Sequence, residues 1–311
     1  MIDIDDVRAA AKRIQAHVHR TPIFTSHSLD AELGARVLFK CENLQKVGAF
    51  KARGACNAVF ALTEDEAQRG VVTHSSGNHA AALAYAARAR GVPALVVMPT
   101  TAPRVKVDAV RSYGAEIRFC EQHEREATCA AWQRETGATL VHPFENPFVI
   151  AGQGTALLEL LEDEPEIDVV IVPVGGGGLC AGSATVSRAL RPQADMLGAE
   201  PIAVDDAARS LATDIRQGRV ENPKTWADGL LTGLGEPNFR ILRELGVRII
   251  TVDEACIVAA ARFFLERMKL VVEPSAATVL AALRALGPAV AGKRVGAILS
   301  GGNTDFAWLE H

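Results

Sequence analysis

Glu42-Asn43-Leu44-Gln45-Lys46-Val47-Gly48-Ala49-Phe50-Lys51-Ala52-Arg53-Gly54 reads as the end of a strand, a polar turn and the start of a helix. The apolar run Val37 to Cys41 is the strand, and the helix begins near Phe50. Lys51 then stands in the first turn, where the positive end of the macrodipole disfavours an ammonium. A lysine so placed loses its proton more readily than one in water, and the neutral amine can attack a carbonyl to form a Schiff base. Gly48 and Ala49 would let a flat ligand approach the backbone. The plain alternative is that Lys51 is one more solvated basic side chain. What the other strand ends bring to that helix decides between the two.

The strand-then-helix pattern recurs along the chain. Strands are expected at 37–41, 70–75, 93–98, 116–120, 139–142, 168–174, 195–200, 248–252 and 294–299. Helices are expected near 3–19, 50–62, 78–90, 104–113, 123–136, 147–162, 179–190, 254–268 and 275–286. Such alternation predicts an α/β architecture of mostly parallel sheets flanked by helices, with sites where strands end and helices begin. The segment 201–240, rich in Gly and Pro, reads as the most loop-like part.

Composition removes several function classes. A net charge of −4 and a pI near 6.1 supply no basic excess for nucleic acid. No apolar run approaches the ~18 residues needed to span a bilayer, so no membrane partner is expected. The acidic start Asp3, Asp5, Asp6 is the reverse of a secretory leader. Six cysteines without C-x-x-C spacing lie in apolar segments and read as reduced core residues, so the expected location is cytoplasmic.

Three further loops follow strands. Thr73-His74-Ser75-Ser76-Gly77-Asn78-His79 has turn and cap residues, and the N–H groups opening its helix would hold a carboxylate or phosphate. Gly175-Gly176-Gly177-Gly178 follows Val169 to Val172 and can fold into a nest of N–H groups at a helix start, a phosphate cup. Ser300-Gly301-Gly302-Asn303 places a serine at a strand end, where it could face a ring nitrogen. Each is also readable as an ordinary capped turn. Gly176-x-Gly178-x-x-Ala181, with Glu200 downstream, loosely fits a dinucleotide fingerprint and keeps a nicotinamide dehydrogenase as a competitor. No lysine follows the glycines as a P-loop requires.

From about residue 5 to the end, the chain resembles the fold-type II pyridoxal phosphate enzymes of the serine racemase and serine/threonine dehydratase family. The resemblance rests on Gly48 to Gly54, Ser75 to His79, Ala151-Gly152-Gln153-Gly154-Thr155, the four glycines, Glu273-Pro274 and Ser300 to Asn303, in that order. It implies a tryptophan-synthase-β-like fold of two domains. Residues 1–62 and 147–311 would form the large cofactor-binding domain, and 63–146 a small mobile domain carrying the substrate loop. Lys51 would form the Schiff base with pyridoxal 5′-phosphate, with Phe50 beside the ring. Gly175, Gly176, Gly177 and Gly178 would cradle the phosphate, Asn78 would bond the phenolic oxygen, and Ser300 would face the pyridine nitrogen. Ser75, Ser76, Asn78 and His79 would grip the substrate carboxylate. Ser76, on the face opposite Lys51, would be the second acid/base group.

The same resemblance makes Glu200, the Val204 carbonyl and Asp206 ligands of a divalent cation, Mg²⁺ first and Ca²⁺ or Mn²⁺ as variants. It also implies a homodimer. Departures bear on regulation: Ala49 stands where many members have Ser, and Ala80-Ala81 replaces a segment near the nucleotide site. Arg125 is the nearest candidate for an arginine that racemases carry on the small-domain helix. The implied activity is dehydration and deamination of a 3-hydroxy amino acid, L-serine or L-threonine, to a 2-oxo acid and ammonia. The alternatives are serine racemisation, a dehydratase for 3-hydroxyaspartate or a bulkier 3-hydroxy amino acid, the dehydrogenase, and a non-catalytic binding module.

Overall fold

The structure is a computed structural model and describes residues 1–75, 77–102 and 104–310. Ten strands form two sheets. They are β1 (Ile23–Phe24), β2 (Arg36–Cys41), β3 (Val71–His74), β4 (Ala94–Pro99), β5 (Glu116–Cys120), β6 (Thr139–Leu140), β7 (Val169–Pro173), β8 (Asp195–Pro201), β9 (Arg248–Val252) and β10 (Arg294–Leu299). The six-stranded sheet runs β1-β2-β10-β7-β8-β9, and the four-stranded sheet β5-β4-β3-β6. Only the β1–β2 pairing is antiparallel among these ladders.

Alternation along each strand builds a core on both faces. Val37, Phe39 and Cys41 pack with Val169, Ile171 and the Pro274–Leu286 helix, while Leu38, Val170 and Val172 pack with the Pro147–Asp163 and Gly178–Leu190 helices. In the smaller sheet Val71, Val96 and Met98 face one cluster, and Val72, Leu95 and Val97 the other. Strands covered on both faces read as continuous apolar runs, the expected consequence of parallel pairing. The ends of β2 and β10 meet, since Cys41 pairs with Leu299. The Lys51 and Ser300 loops therefore leave the sheet side by side.

The sequence-based element list differs from the structure in definite places. The first helix spans Ile4–Ile14, not 3–19. Beyond it the His17 ring stacks on Phe60 at 3.8 Å, Tyr85 donates to the His17 carbonyl, and Gln45 and Arg53 donate to that of His19. Side chains from elsewhere thus hold carbonyls that a longer helix would have used. The 201–240 segment carries the helix Asp206–Thr213, and Glu236–Glu244 begins within it. Their starts are capped by distant carboxylates: Glu200 accepts from Ala207 and Ala208 N–H, and Glu145 from Glu236 N–H. Glu64–Arg69 is a helix with a Thr63/Glu66 capping box. Of the six cysteines five are buried, but Cys256 is exposed. Among the described residues, no helix is long and apolar enough to cross a membrane.

Candidate cofactor and substrate site

Lys51 opens the Lys51–Phe60 helix beside the end of β10. Phe50 N–H donates to the Ser300 carbonyl at 2.9 Å, and Ala49 forms a β-bridge with Gly301. Gly48 has φ +68, and a Cβ there would lie 2.6 Å from Asn303 Oδ1, so the turn before the helix admits no side chain. Lys51 Nζ donates to the Pro143 carbonyl at 2.7 Å and lies 5.0 Å from the Phe50 ring centre. Its removal from water draws its pKa down to about 7. Burial acts here at the helix start where the sequence places Lys51. The outcome is an amine substantially neutral near pH 7.

The glycine loop leaves β7 and ends in the Gly178–Leu190 helix. Gly177 has φ +84. A Cβ on Gly176 would stand 2.3 Å from the Phe144 ring, and one on Gly177 2.6 Å from Leu234. Asn238 Nδ2 donates to the carbonyls of Phe144 (2.8 Å) and Gly176 (2.6 Å), which fixes the loop. The first N–H groups of the helix have no carbonyl upstream of them to bond. Bare backbone, a packed rear wall and free donors make an anion cup, and these residues fit a cofactor phosphate.

The loop after β3 supplies the third side. Ser75 N–H bonds the Val97 carbonyl, and Ser75 Oγ accepts from Gly77 N–H at 3.3 Å. Ser76 lies outside the described residues. Asn78 opens the next helix, its Nδ2 donating to Glu273 and its Oδ1 accepting from Asn303 Nδ2 at 2.9 Å. The His79 ring is buried, with Nε2 3.0 Å from the Val141 carbonyl, and burial holds it well below the usual imidazole range. Its side chain therefore braces the start of this helix against the end of β6. Ser300 is buried at the end of β10, next to Phe50.

Four participants were not assigned roles from the sequence. Glu273 accepts from Asn78 and from Asn303 N–H, and burial, with the charge of Asp228, pushes its carboxyl up to about 7. Phe144 backs the glycine cup, and the Pro143 carbonyl holds Lys51. His142, lowered to about 4 by burial, turns Nδ1 to Glu145 N–H at 3.1 Å and so shapes that same segment. The Glu273-Pro274 pair at a helix start was the one visible signal.

At the end of β8, Glu200 accepts two backbone N–H groups, and Asp206 Oδ2 accepts Leu234 N–H at 2.7 Å. Burial, then the charges of Asp206 and Asp205, push Glu200 up to about 8; burial also raises Asp206. Val204 lies between them, the buried residue of the short turn Ile202–Val204. Among the described residues no group of three or more His, Cys, Asp or Glu side chains has metal-site geometry. Two carboxyl side chains and a backbone carbonyl offer the oxygen ligands that a hard divalent cation takes.

Residues 14–301 match the model of the pyridoxal-phosphate dependent enzyme family. A serine racemase of Oryza sativa subsp. indica is 47% identical over 317 residues, covering 99% of this chain and 92% of the relative. A beta-hydroxyaspartate dehydratase of Paracoccus denitrificans is 46% identical over 307 residues, covering 97% and 96%. The crystal structure of a T.th. threonine deaminase superposes with a TM-score of 0.93 at 47% identity, covering 98% of this chain and 100% of the other. The family match over residues 14–301 overturns the dehydrogenase reading. An amine of lowered pKa, a glycine cup and a serine at a strand end, assembled on the fold of these relatives, place the chain in the pyridoxal-phosphate-dependent enzyme family.

Proposed function

We propose that the protein removes water from a 3-hydroxy amino acid of the L-serine or L-threonine class and releases a 2-oxo acid and ammonia. The observation that carries this is the Lys51 amine, drawn to about 7 and bonded to the Pro143 carbonyl, on the helix whose preceding residue, Phe50, is tied to Ser300. Pyridoxal phosphate, when bound, supplies the electron sink that acidifies the substrate Cα–H. Gly175 to Gly178 would hold its phosphate, Lys51 its carbonyl carbon, Asn78, by turning one Nδ2 proton away from Glu273, its phenolic oxygen, and Ser300 its ring nitrogen, with Phe50 alongside. The Ser75–His79 loop would bind the substrate carboxylate at the helix start that Asn78 opens and fix Cα near Lys51. Lys51 takes the Cα proton. The Cβ–O bond then breaks, and the hydroxyl leaves as water with the proton that Lys51 took from Cα. The enamine set free becomes an imine, which consumes one water to give the 2-oxo acid and ammonia. Ser76 is retained in this proposal as the acid/base group on the opposite face.

Serine racemisation is the second reading, favoured by the 47% identity with the rice protein named a serine racemase. 3-Hydroxyaspartate is the substrate variant, favoured by the Paracoccus relative. Purified protein with pyridoxal phosphate should be offered both enantiomers of serine, threonine, 3-hydroxyaspartate and phenylserine. Ammonia and 2-oxo acid should appear from at least one; their absence from all would sink the dehydratase reading. D-serine formed from L-serine without 2-oxo acid would transfer the assignment to a racemase.

We further propose a Mg²⁺-class cation on Glu200, Asp206 and the Val204 carbonyl, with structural or activating effect. A cytoplasmic homodimer completes the proposal. Exposed Phe24 on the edge strand, and Leu44 beside Asn43, whose Nδ2 donates to the carbonyl of the exposed Val271, support self-association. A monomer mass in sedimentation would refute it.

A further inference from the structure

Gln153 is fully buried in the Pro147–Asp163 helix, yet neither Oε1 nor Nε2 has a hydrogen-bond partner among the described residues. An amide with both ends unsatisfied is strongly unfavourable in an interior, and such groups are normally answered by a ligand or an ordered water. Its position says which. Oε1 lies 2.6 Å from where a Cβ on Gly178 would stand, and Cγ lies 3.1 Å from that position on Gly54. Gly178 opens the helix behind the glycine cup, and Gly54 is on the helix that begins at Lys51. The amide is therefore wedged between the two helix starts that converge on the cofactor. Asn238, on the other side of the cup, has already committed its two-proton Nδ2 to the carbonyls of Phe144 and Gly176. Of the two buried amides beside the glycines, Gln153 alone retains N–H donors.

We propose that Gln153 is a further phosphate-binding residue. Its Nε2 donates to a phosphate oxygen in the Gly175–Gly178 cup, directly or through one buried water. The assignment rests on the cofactor reading above. It accounts for an amide where hydrocarbon would otherwise pack better, and for the absence of a side chain at Gly178, whose Cβ would displace it.

The test is Gln153→Met, which keeps length and removes the donor. Dissociation constants for pyridoxal phosphate and for pyridoxal, which lacks the phosphate, are measured on the cofactor-depleted full chain, with the ³¹P resonance of bound cofactor alongside. Pyridoxal phosphate should bind roughly tenfold or more weakly, pyridoxal should be unaffected, and the ³¹P resonance should move. The cofactor-free variant should melt at or above wild type, because an orphan amide has gone. Equal weakening of both ligands, or of neither, overturns the assignment. Should Gln153→Met not fold, Gln153→Glu directs a negative charge at the same place. It must then weaken pyridoxal phosphate more than pyridoxal, and an equal effect overturns the proposal. Wild type that binds no pyridoxal phosphate would instead overturn the cofactor reading itself.

Discussion

Asn78 Nδ2 donates to both carboxylate oxygens of Glu273, at 3.1 and 3.2 Å. Asn78 opens the helix after β3 in the smaller sheet, and Glu273 precedes the Pro274 helix on the larger one. One carboxylate thus ties the helix after β3 to the larger sheet's side of the molecule. Asn303 closes the arrangement by donating its N–H to Glu273 and its Nδ2 to Asn78.

Glu273 should impose a pH dependence on stability. Its folded-state pKa, about 7, lies above the ordinary 4.5, so the folded protein binds this proton more tightly than the unfolded chain. The ionised form is therefore penalised increasingly as pH rises from about 4.5 through about 7, and there is no penalty below that window. Glutamine is neutral throughout. Cofactor-free Glu273→Gln should gain on wild type by roughly 1–3 kcal/mol between pH 5 and pH 8. Urea melts at the two pH values check this, and a pH-independent difference would exclude the assignment.

Lys51 has the opposite sign. Its folded value of about 7 lies below the ordinary 10.5, so the ammonium destabilises the fold fully below about 7 and the penalty fades as pH rises to about 10.5. Cofactor-free Lys51→Met should exceed wild type by roughly 2–5 kcal/mol at pH 6 and converge with it by about pH 10. The same variant should show no visible absorption band with pyridoxal phosphate and no turnover. A variant that melts with wild type at pH 6 would mean that the amine is still solvated.

The strands were legible because each core strand is an apolar run that alternates between two packed faces, as Val169 to Val172 do. β1 was not, since two residues carry no period and Phe24 is exposed. The helix at Asp206 was hidden because its cap is Glu200, on a neighbouring strand. The same division holds in the site. Lys51, the glycines and Ser300 announce themselves by following strands. Glu273, Phe144 and Gln153 act through contacts that only the fold creates, and a sequence shows the residues without the distances. The desolvation that lowers the pKa of Lys51 is not legible in the sequence, because burial of one side chain cannot be read from its neighbours in the chain.

Removal of the cation should be felt most at alkaline pH. Glu200, pushed up to about 8 and close to Asp206 and Asp205, is neutral when protonated and repels its neighbours when ionised. A bound cation reverses that cost. Chelator should lower the melting temperature more at pH 8.5 than at pH 6, and Mg²⁺ should restore it by mass action. Glu200→Gln should abolish the response to both. An identical chelator effect in Glu200→Gln would locate the metal elsewhere.

Gly176 should tolerate no side chain, and the reason is one ring. Its Cβ would stand 2.3 to 2.6 Å from three carbons of Phe144, far inside contact distance. The ring has little freedom to retreat, because the Phe144 carbonyl is tied by Asn238 and the Glu145 side chain holds Glu236 N–H. Gly176→Ala should therefore cost about 1–3 kcal/mol and weaken pyridoxal phosphate binding by distorting the cup. If the Phe144 ring is the cause, the cost must shrink in a Phe144→Ala background, giving a coupling energy in a double-mutant cycle. Additive losses would show instead that the loop backbone cannot accept a Cβ whatever faces it.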